Sequence, residues 1–320
     1  MARFLLKVFL QAALTFVLSF TLLFLLLRGL GDPAQMLLGQ RSDRIALETI
    51  RAQLHLDKPL WQQYLYAWAQ WMPYDGEKWK LPQLGTSYQY ARPVVELYAE
   101  RFPATLLLSL CAMMFAVCMG IPLGLWQAYR PSFLLQRLSL LFLSLPGYVV
   151  GLLLLFVMGF QLGMPLGGYI YSYDPIAERL SYHWENLLLP ALALGLRPAA
   201  HLLQLTSTEA QHILQQDFIR SAHARGKAFL PILFGDVLRN ILPTLSVSLT
   251  QWLGGLFTGA LFVEEVFDWP GVGKLLFFAL STSDYPLLMG IAQLSVLLFV
   301  GLNALGEILA RWADPRLRVS

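Results

Sequence analysis

The chain has 320 residues, 57% of them hydrophobic and only 13% charged, with a formal net charge of +3 and a mean hydropathy of +0.55. Soluble domains carry roughly 25% charged residues, so the composition excludes an ordinary soluble globule and points to a membrane protein. A net charge this small also gives no reason to expect a nucleic-acid partner.

The predicted elements begin with Arg3 and Lys7, followed by an apolar run from Val8 to Leu27. About 20 such residues are needed to cross the hydrocarbon core. No small-residue cleavage site follows, so the run is expected to be an uncleaved first span. Residues 29–102 then form an insertion. Within it, 44–56 is expected to be a helix with a partial apolar stripe, introduced by Ser42-Asp43. The next stretch, 59–72, carries Trp61, Tyr64, Tyr66, Trp68 and Trp71, aromatics that suit a helix at a membrane interface.

Five further spans are expected at about Ala104–Ala128, Leu138–Leu162, Leu187–Leu205, Leu245–Val263 and Leu287–Leu309. Pro122, Pro146 and Pro190 fall in or near them as tolerated kinks. Cys111 and Cys118 are seven apart, about 10 Å along a helix, too far for a disulfide. They read as small apolar residues.

Basic residues in the short loops set the orientation. Arg3, Lys7, Arg130, Arg137, Arg220, Arg225, Lys227, Arg239, Arg311, Arg316 and Arg318 fall on one side, against Arg179 and Lys274 on the other. The positive-inside rule makes the first side cytoplasmic, with both termini in. The stretch from Arg28 to Arg101 holds nine basic and eight acidic residues. It is nearly neutral and long, so it is free to lie outside.

Between the fourth and fifth spans lies a charged, helix-prone segment, 208–243. Asp217 to Gly226 reads as a helix ended by glycine, which permits a left-handed turn. Ala222 and Gly226 are small and one turn apart, so they allow close approach of a partner surface. An amphipathic loop packed on its own bundle is the alternative. Pro231 is an expected break. Beyond the fifth span, Pro270 precedes a short apolar helix, Val272 to Leu280, too short to cross. Lys274 and Asp284 there read as solvated charges or as contacts for a docking protein.

Several chemistries find no support. Gly273-Lys274 and Gly226-Lys227 each lack the first glycine of a phosphate loop, having Asp268 and Ser221 in its place. The five histidines make no metal-ligand spacing with the cysteines, and no nucleophile elbow is present. No catalytic residue and no metal site are expected. Thr250, Gln251, Gln293 and Asn303 are polar residues inside spans and are the candidates for lining a translocation path. Glu307 reads instead as a pair with Arg311, four residues along. Gly255 and Gly259 offer a smooth stripe, for packing either within the chain or against another subunit. No matched pair of broken segments, the mark of many secondary carriers, is evident.

Arg220-Ser221-Ala222 with Gly226, preceded by Asp217-Phe218-Ile219 and followed by Arg239-Asn240 and Pro243, resembles the EAA loop of ABC importer permeases, in the dipeptide/oligopeptide/nickel branch. The likeness runs along almost the whole chain. It includes Gly31-Asp32-Pro33-Ala34, Leu54 to Leu60, Arg101 to Leu106, Gly120-Ile121-Pro122-Leu123-Gly124, Glu265 to Gly273, Asp284-Tyr285-Pro286 and Asp314-Pro315-Arg316.

The resemblance implies an all-α membrane protein with six transmembrane helices, the type I ABC importer permease fold. Three parts are expected: tail and first helix (1–28), a mostly helical extracytoplasmic insertion (29–102), and a core permease domain (103–320). It implies a non-catalytic subunit, in a bacterial inner membrane, for short peptides or peptide-like solutes. Nickel or a metal chelate is the alternative cargo, and an independent secondary carrier the remoter one. Asp217, Arg220, Ala222, Arg225 and Gly226 would couple to the ATPase. The chain itself would need no cofactor, with ATP and magnesium on partner ATPase subunits. The implied partners are a second homologous permease, two cytoplasmic ATPase subunits, an extracytoplasmic solute-binding protein and the bilayer.

Overall fold

The computed structural model describes residues 2–29, 48–49, 51–52, 56–71, 84–165, 167–169, 171–174 and 179–313. Most of the helix expected over 44–56, and the tail from Asp314, lie outside these residues. The helices are α1 (Ala2–Gly29), α2 (Leu60–Trp71), α3 (Val94–Tyr129), α4 (Phe133–Ser144), α5 (Gly147–Leu154), α6 (Leu188–Leu214), α7 (Asp217–Ala224), α8 (Leu238–Val266), α9 (Val272–Ser281) and α10 (Tyr285–Ala313). A π-helical stretch, Leu155–Gln161, continues α5, and another, Ile232–Val237, leads into α8. Among the described residues the fold is helical except for a short antiparallel hairpin, β1 (Tyr171–Asp174) with β2 (Arg179–Tyr182), Tyr171 facing Tyr182.

Among the described residues, five helical segments are long and apolar enough to cross a membrane: Val8–Gly29, Val94–Tyr129, Trp184–Leu214, Phe229–Phe257 and Tyr285–Gly306. The span expected over Leu138–Leu162 is not one straight helix. It is two helices, Phe133–Ser144 and Gly147–Gln161, bent by 111°. Leu145 between them is extended, φ −78° and ψ 135°. The ring of Pro146 disfavours a helical residue before it, and Pro146 itself caps the second helix. Pro231 is a correction. It falls in the first turn of the helical run starting at Phe229, where its missing N–H costs no bond, and the chain continues helical through it.

The chain divides into two compact units. One comprises residues 2–103 and 275–298. In it α2 lays Tyr64, Trp68 and Trp71 against Phe16, Phe20 and Phe24 of α1. Ring centroids are 4.4 Å apart for Phe20–Trp68, 5.4 Å for Phe24–Tyr64 and 5.7 Å for Phe16–Trp71. The aromatics read as an interfacial belt thus join two helices, while Trp61 stays exposed. Asp284, read as a solvated charge, is instead fully buried. It accepts from Ser87 Oγ at 2.5 Å, Gln89 N at 3.1 Å and Leu287 N at 3.2 Å, and so caps α10.

The other unit comprises residues 104–274 and the stretch from Phe299 onward. Its core gathers Leu108, Ala112 and Ala116 of α3, Leu189 and Leu202 of α6, and Ile241 and Leu245 of α8. Here α3 and α6 approach closely over glycines. A Cβ on Gly120 would lie 2.6 Å from the Ala199 carbonyl oxygen, on Gly124 2.6 Å from that of Leu203, and on Gly195 2.7 Å from that of Ala112. Backbone carbonyls cannot swing away as a flexible side chain can. Gly124→Leu is therefore expected to cost stability near the upper end of the roughly 1–3 kcal/mol typical of overpacking. Gly235→Ala, where nothing lies within 4 Å, serves as the control. Thermal unfolding of the detergent-solubilised protein reads both; an unchanged midpoint for Gly124→Leu contradicts the packing.

Candidate functional site

The segment between the fourth and fifth apolar runs carries α7. Asp217 sits in the first turn of this helix and His223 in the last, both favourable to the helix dipole. The helix closes on Gly226, with φ +78°. Lys227 N donates to the Ala222 carbonyl at 3.2 Å and Gly226 N to that of His223 at 2.9 Å, the paired bonds of a glycine-terminated helix. Lys227 then reaches Asp236 Oδ2 at 2.5 Å, tying the turn to the π-helical stretch. Phe229 stacks on Tyr129, with centroids 4.0 Å apart, and His223 lies parallel to it at 6.0 Å.

The helix is sharply two-faced. Ile219 and Ala222 are 1% and 4% exposed and belong to the core of their unit. Asp217, Phe218, Arg220, Ser221, Arg225 and Gly226 are exposed. Arg220 Nη1 lies 3.3 Å from Asp217 Oδ1, an exposed i,i+3 pair worth little to stability. The expectation that Ala222 and Gly226 together meet a partner surface is thus corrected. Ala222 is small because it packs against its own bundle. Gly226 stands open, with nothing within 4 Å of where a Cβ would project. The large side chains exposed on α7 and the turn after it include Asp217, Phe218, Arg220 and Arg225.

The four path candidates are not brought together. Gln293 is fully buried. Its Nε2 donates to the Phe16 carbonyl at 3.0 Å and its Oε1 accepts from Ser19 Oγ at 3.2 Å. Both ends of the amide are used to join α10 to α1. Gln251 is exposed. Thr250 Oγ1 donates back along α8 to the Val247 carbonyl at 2.8 Å. Thr250 and Asn303 lie where α8 and α10 meet: a Cβ on Gly306 would fall on Thr250, and one on Gly254 would lie 3.1 Å from Phe299 and 3.7 Å from Asn303 Nδ2. Gly254, not Gly255, makes that close approach; Gly255 has open space.

Two features escaped the sequence reading. Glu264, fully buried, accepts from Thr105 Oγ1 at 2.6 Å and from Lys274 N at 3.1 Å. Thr105 Oγ1 in turn accepts from Val272 N at 2.8 Å. The Glu264 carboxyl at the end of α8 therefore caps α9. Lys274 is paired with Asp268 and is not a free surface charge. Trp269, fully buried beside this cap, donates Nε1 to the Ala104 carbonyl at 3.0 Å.

The second feature is Arg197, near the middle of the Trp184–Leu214 span, and exposed. A guanidinium at mid-span costs about 2.5–3.5 kcal/mol against lipid. The signal was present in sequence as the lone charge within the Leu187–Leu205 run.

Residues 116–319 match the model for "Binding-protein-dependent transport system inner membrane component", and residues 1–109 the corresponding N-terminal model. The chain is 31% identical over 310 residues to the glutathione transport system permease protein GsiC of Pectobacterium atrosepticum, covering 95% of both chains. It is 31% identical over 317 residues to the dipeptide transport system permease protein DppB of Escherichia coli K12, covering 90% of each. With the GsiC protein of Escherichia coli O6:H1 it shares 30% identity over 293 residues, 90% of this chain and 89% of that one. The chain therefore belongs to the family of binding-protein-dependent transport system inner membrane components, as a non-catalytic, multi-pass permease subunit of an ABC transporter whose ATP hydrolysis resides in partner subunits.

Proposed function

We propose that the chain moves short peptides or peptide-like solutes as one half of a permease pair, coupled by the exposed face of α7 to a cytoplasmic ATPase. The observation that carries this is the two-sided build of α7. Ile219 and Ala222 anchor the helix in the bundle, while Asp217, Phe218, Arg220 and Arg225 face away from it. A helix held so firmly on one face transmits a push on the other as rigid-body motion of the packed spans. The names of the glutathione and dipeptide relatives support the cargo class.

The bent pair Phe133–Gln161 acts as one crossing, which gives six spans. An even number returns both termini, the 130–137 turn and the 208–243 loop to the same side, as the distribution of arginine and lysine requires. That side is the cytoplasm. A second permease, two ATPase subunits and a solute-binding protein on the opposite face complete the transporter.

The test is one of sidedness and flux. A cysteine replacing Arg225 is expected to react with a membrane-impermeant thiol reagent in inverted vesicles and not in intact cells. Proteoliposomes holding the full complex are expected to take up a dipeptide only with ATP and the binding protein present. Labelling of that cysteine solely from outside intact cells overturns the orientation and the coupling with it.

A further inference from the structure

Helix α6 is buried along one side by Gly195, Pro198, Ala199, Leu202, Leu203, Thr206, Ala210 and Ile213. Its other side carries polar residues at positions four, seven and eleven after the first: Arg197, His201, Gln204 and Thr208. At 100° per residue these fall within about 60° of one another, a polar stripe running along the half of the span that leads to α7. Arg197 and Thr208 are exposed, and His201 and Gln204 half-buried.

The stripe is not used up by the unit's own packing. Gln204 Nε2 donates to Ser139 Oγ at 3.0 Å, and His201 lies beside Trp252, with ring centroids 5.5 Å apart. Both are thereby held in place. Arg197, at the centre of the span, is exposed and makes no ion pair with a carboxylate among the described residues. A charged side chain at this depth faces a bundle interior or a water-filled cavity, takes a polar partner there, and commonly marks a substrate path.

We propose that Arg197 stands on the solute path and receives the anionic group of the cargo, with His201 and Thr208 continuing the polar wall toward the α7 end. The cargo class rests on the peptide reading, which makes that group a carboxylate. A guanidinium suits it, since its planar fork matches a carboxylate in a two-point hydrogen bond that stays charged at any physiological pH. Solutes without a carboxylate lose that pairing and are disfavoured in passage.

The test uses the complete transporter in proteoliposomes, with Ala-Phe and its C-terminal amide as cargo. The ratio of their ATP-driven uptake rates is the readout. Selection by the binding protein cancels when wild type and variant are compared. Arg197→Gln is expected to shrink the ratio at least tenfold, and Arg197→Lys to retain part of it. In a background of Cys111→Ala and Cys118→Ala, a cysteine at 197 is expected to react with a hydrophilic thiol reagent.

An unchanged ratio in Arg197→Gln, with Ala-Phe still carried, overturns this inference alone. So does an unreactive cysteine, or loss of the second permease from the purified Arg197→Gln complex, which would make Arg197 a tie between subunits. If the wild-type complex carries neither compound, the peptide reading falls and the carboxylate assignment with it. A reactive cysteine would then still keep the position on a water-filled path.

Discussion

Glu264→Leu is expected to lower the unfolding free energy by about 3–5 kcal/mol. The side chain is fully buried, and its oxygens receive Thr105 Oγ1 at 2.6 Å and Lys274 N at 3.1 Å. Leucine is of similar bulk but accepts nothing. Each donor it orphans costs about 1–3 kcal/mol. The damage spreads, because Thr105, which loses its acceptor, is itself the acceptor for Val272 N and so the other anchor of the start of α9. Glycine has no substitute here either, since a Cβ on Gly271 would fall on the Glu264 carboxyl and one on Gly273 would lie 2.5 Å from Leu261 Cα. Thermal unfolding in detergent, with Glu264→Gln beside it, measures the effect; a leucine variant as stable as wild type would refute the capping role.

The same residue makes stability depend on pH. Glu264 lies seven residues beyond the apolar span Phe229–Phe257, and burial pushes its carboxyl up to about 7. The hydrogen bonds from Thr105 and from the Lys274 and Gly273 backbone pull the other way without cancelling it. Between the ordinary glutamate value and about 7 the folded chain holds a proton that the unfolded chain has released. Stability from this group is thus complete below the ordinary value and is lost as pH rises through about 7. A shift of this size is worth about 3 kcal/mol. Wild type is expected to lose that much relative to Glu264→Gln between acid and mildly alkaline pH, the glutamine variant holding no titrating group there. A difference between the two that does not change with pH would place the carboxyl in a wetter setting than its burial implies.

Local pattern made some of this fold legible and left the rest hidden, for identifiable reasons. Span length and apolarity are properties of single segments, so the runs at Val8, Ala104, Leu187 and Leu287 all fall inside observed helices. The Leu138–Leu162 run has the same apolar content as a straight span. Only Leu145, forced into extended geometry by Pro146, turns it through 111°, and a proline in an apolar run reads equally as a mild kink. The α7 turn was legible because its glycine, its charges and its two apolar anchors lie within ten residues. Which small residue faces in was not, since Ala222 and Gly226 differ by one helical turn at a point where the helix ends. Gln293 looked like a path residue because its partners, Phe16 and Ser19, lie more than 270 positions away. Glu264 and Thr105 are separated by 159. Contacts of that kind leave no periodicity to read.

Gly226 separates the two demands made on the α7 turn, backbone shape and surface fit. Its φ of +78° lies in the left-handed region, which costs a residue with a Cβ about 1–2 kcal/mol, while the space around it is open. Gly226→Ala therefore adds strain and almost no bulk. Gly226→Asn adds little strain, since asparagine tolerates this region, and modest bulk. Gly226→Trp adds strain and a large exposed group. If the exposed face of α7 seats in a partner's cleft, the misfit of an indole costs about 1–3 kcal/mol, as overpacking does elsewhere, or roughly 5–150-fold in engagement. ATP-driven uptake by Gly226→Trp is then expected to fall at least about fivefold at wild-type abundance, with the thermal midpoint lowered no further than in Gly226→Ala. Gly226→Asn is expected to stay near wild type in both. Full uptake by the tryptophan variant would mean that this turn is not gripped, and equal loss in alanine and tryptophan would mean that backbone shape alone matters there. The open space around Gly226 favours the first distinction, because no atom of the described residues lies within 4 Å of where its Cβ would project.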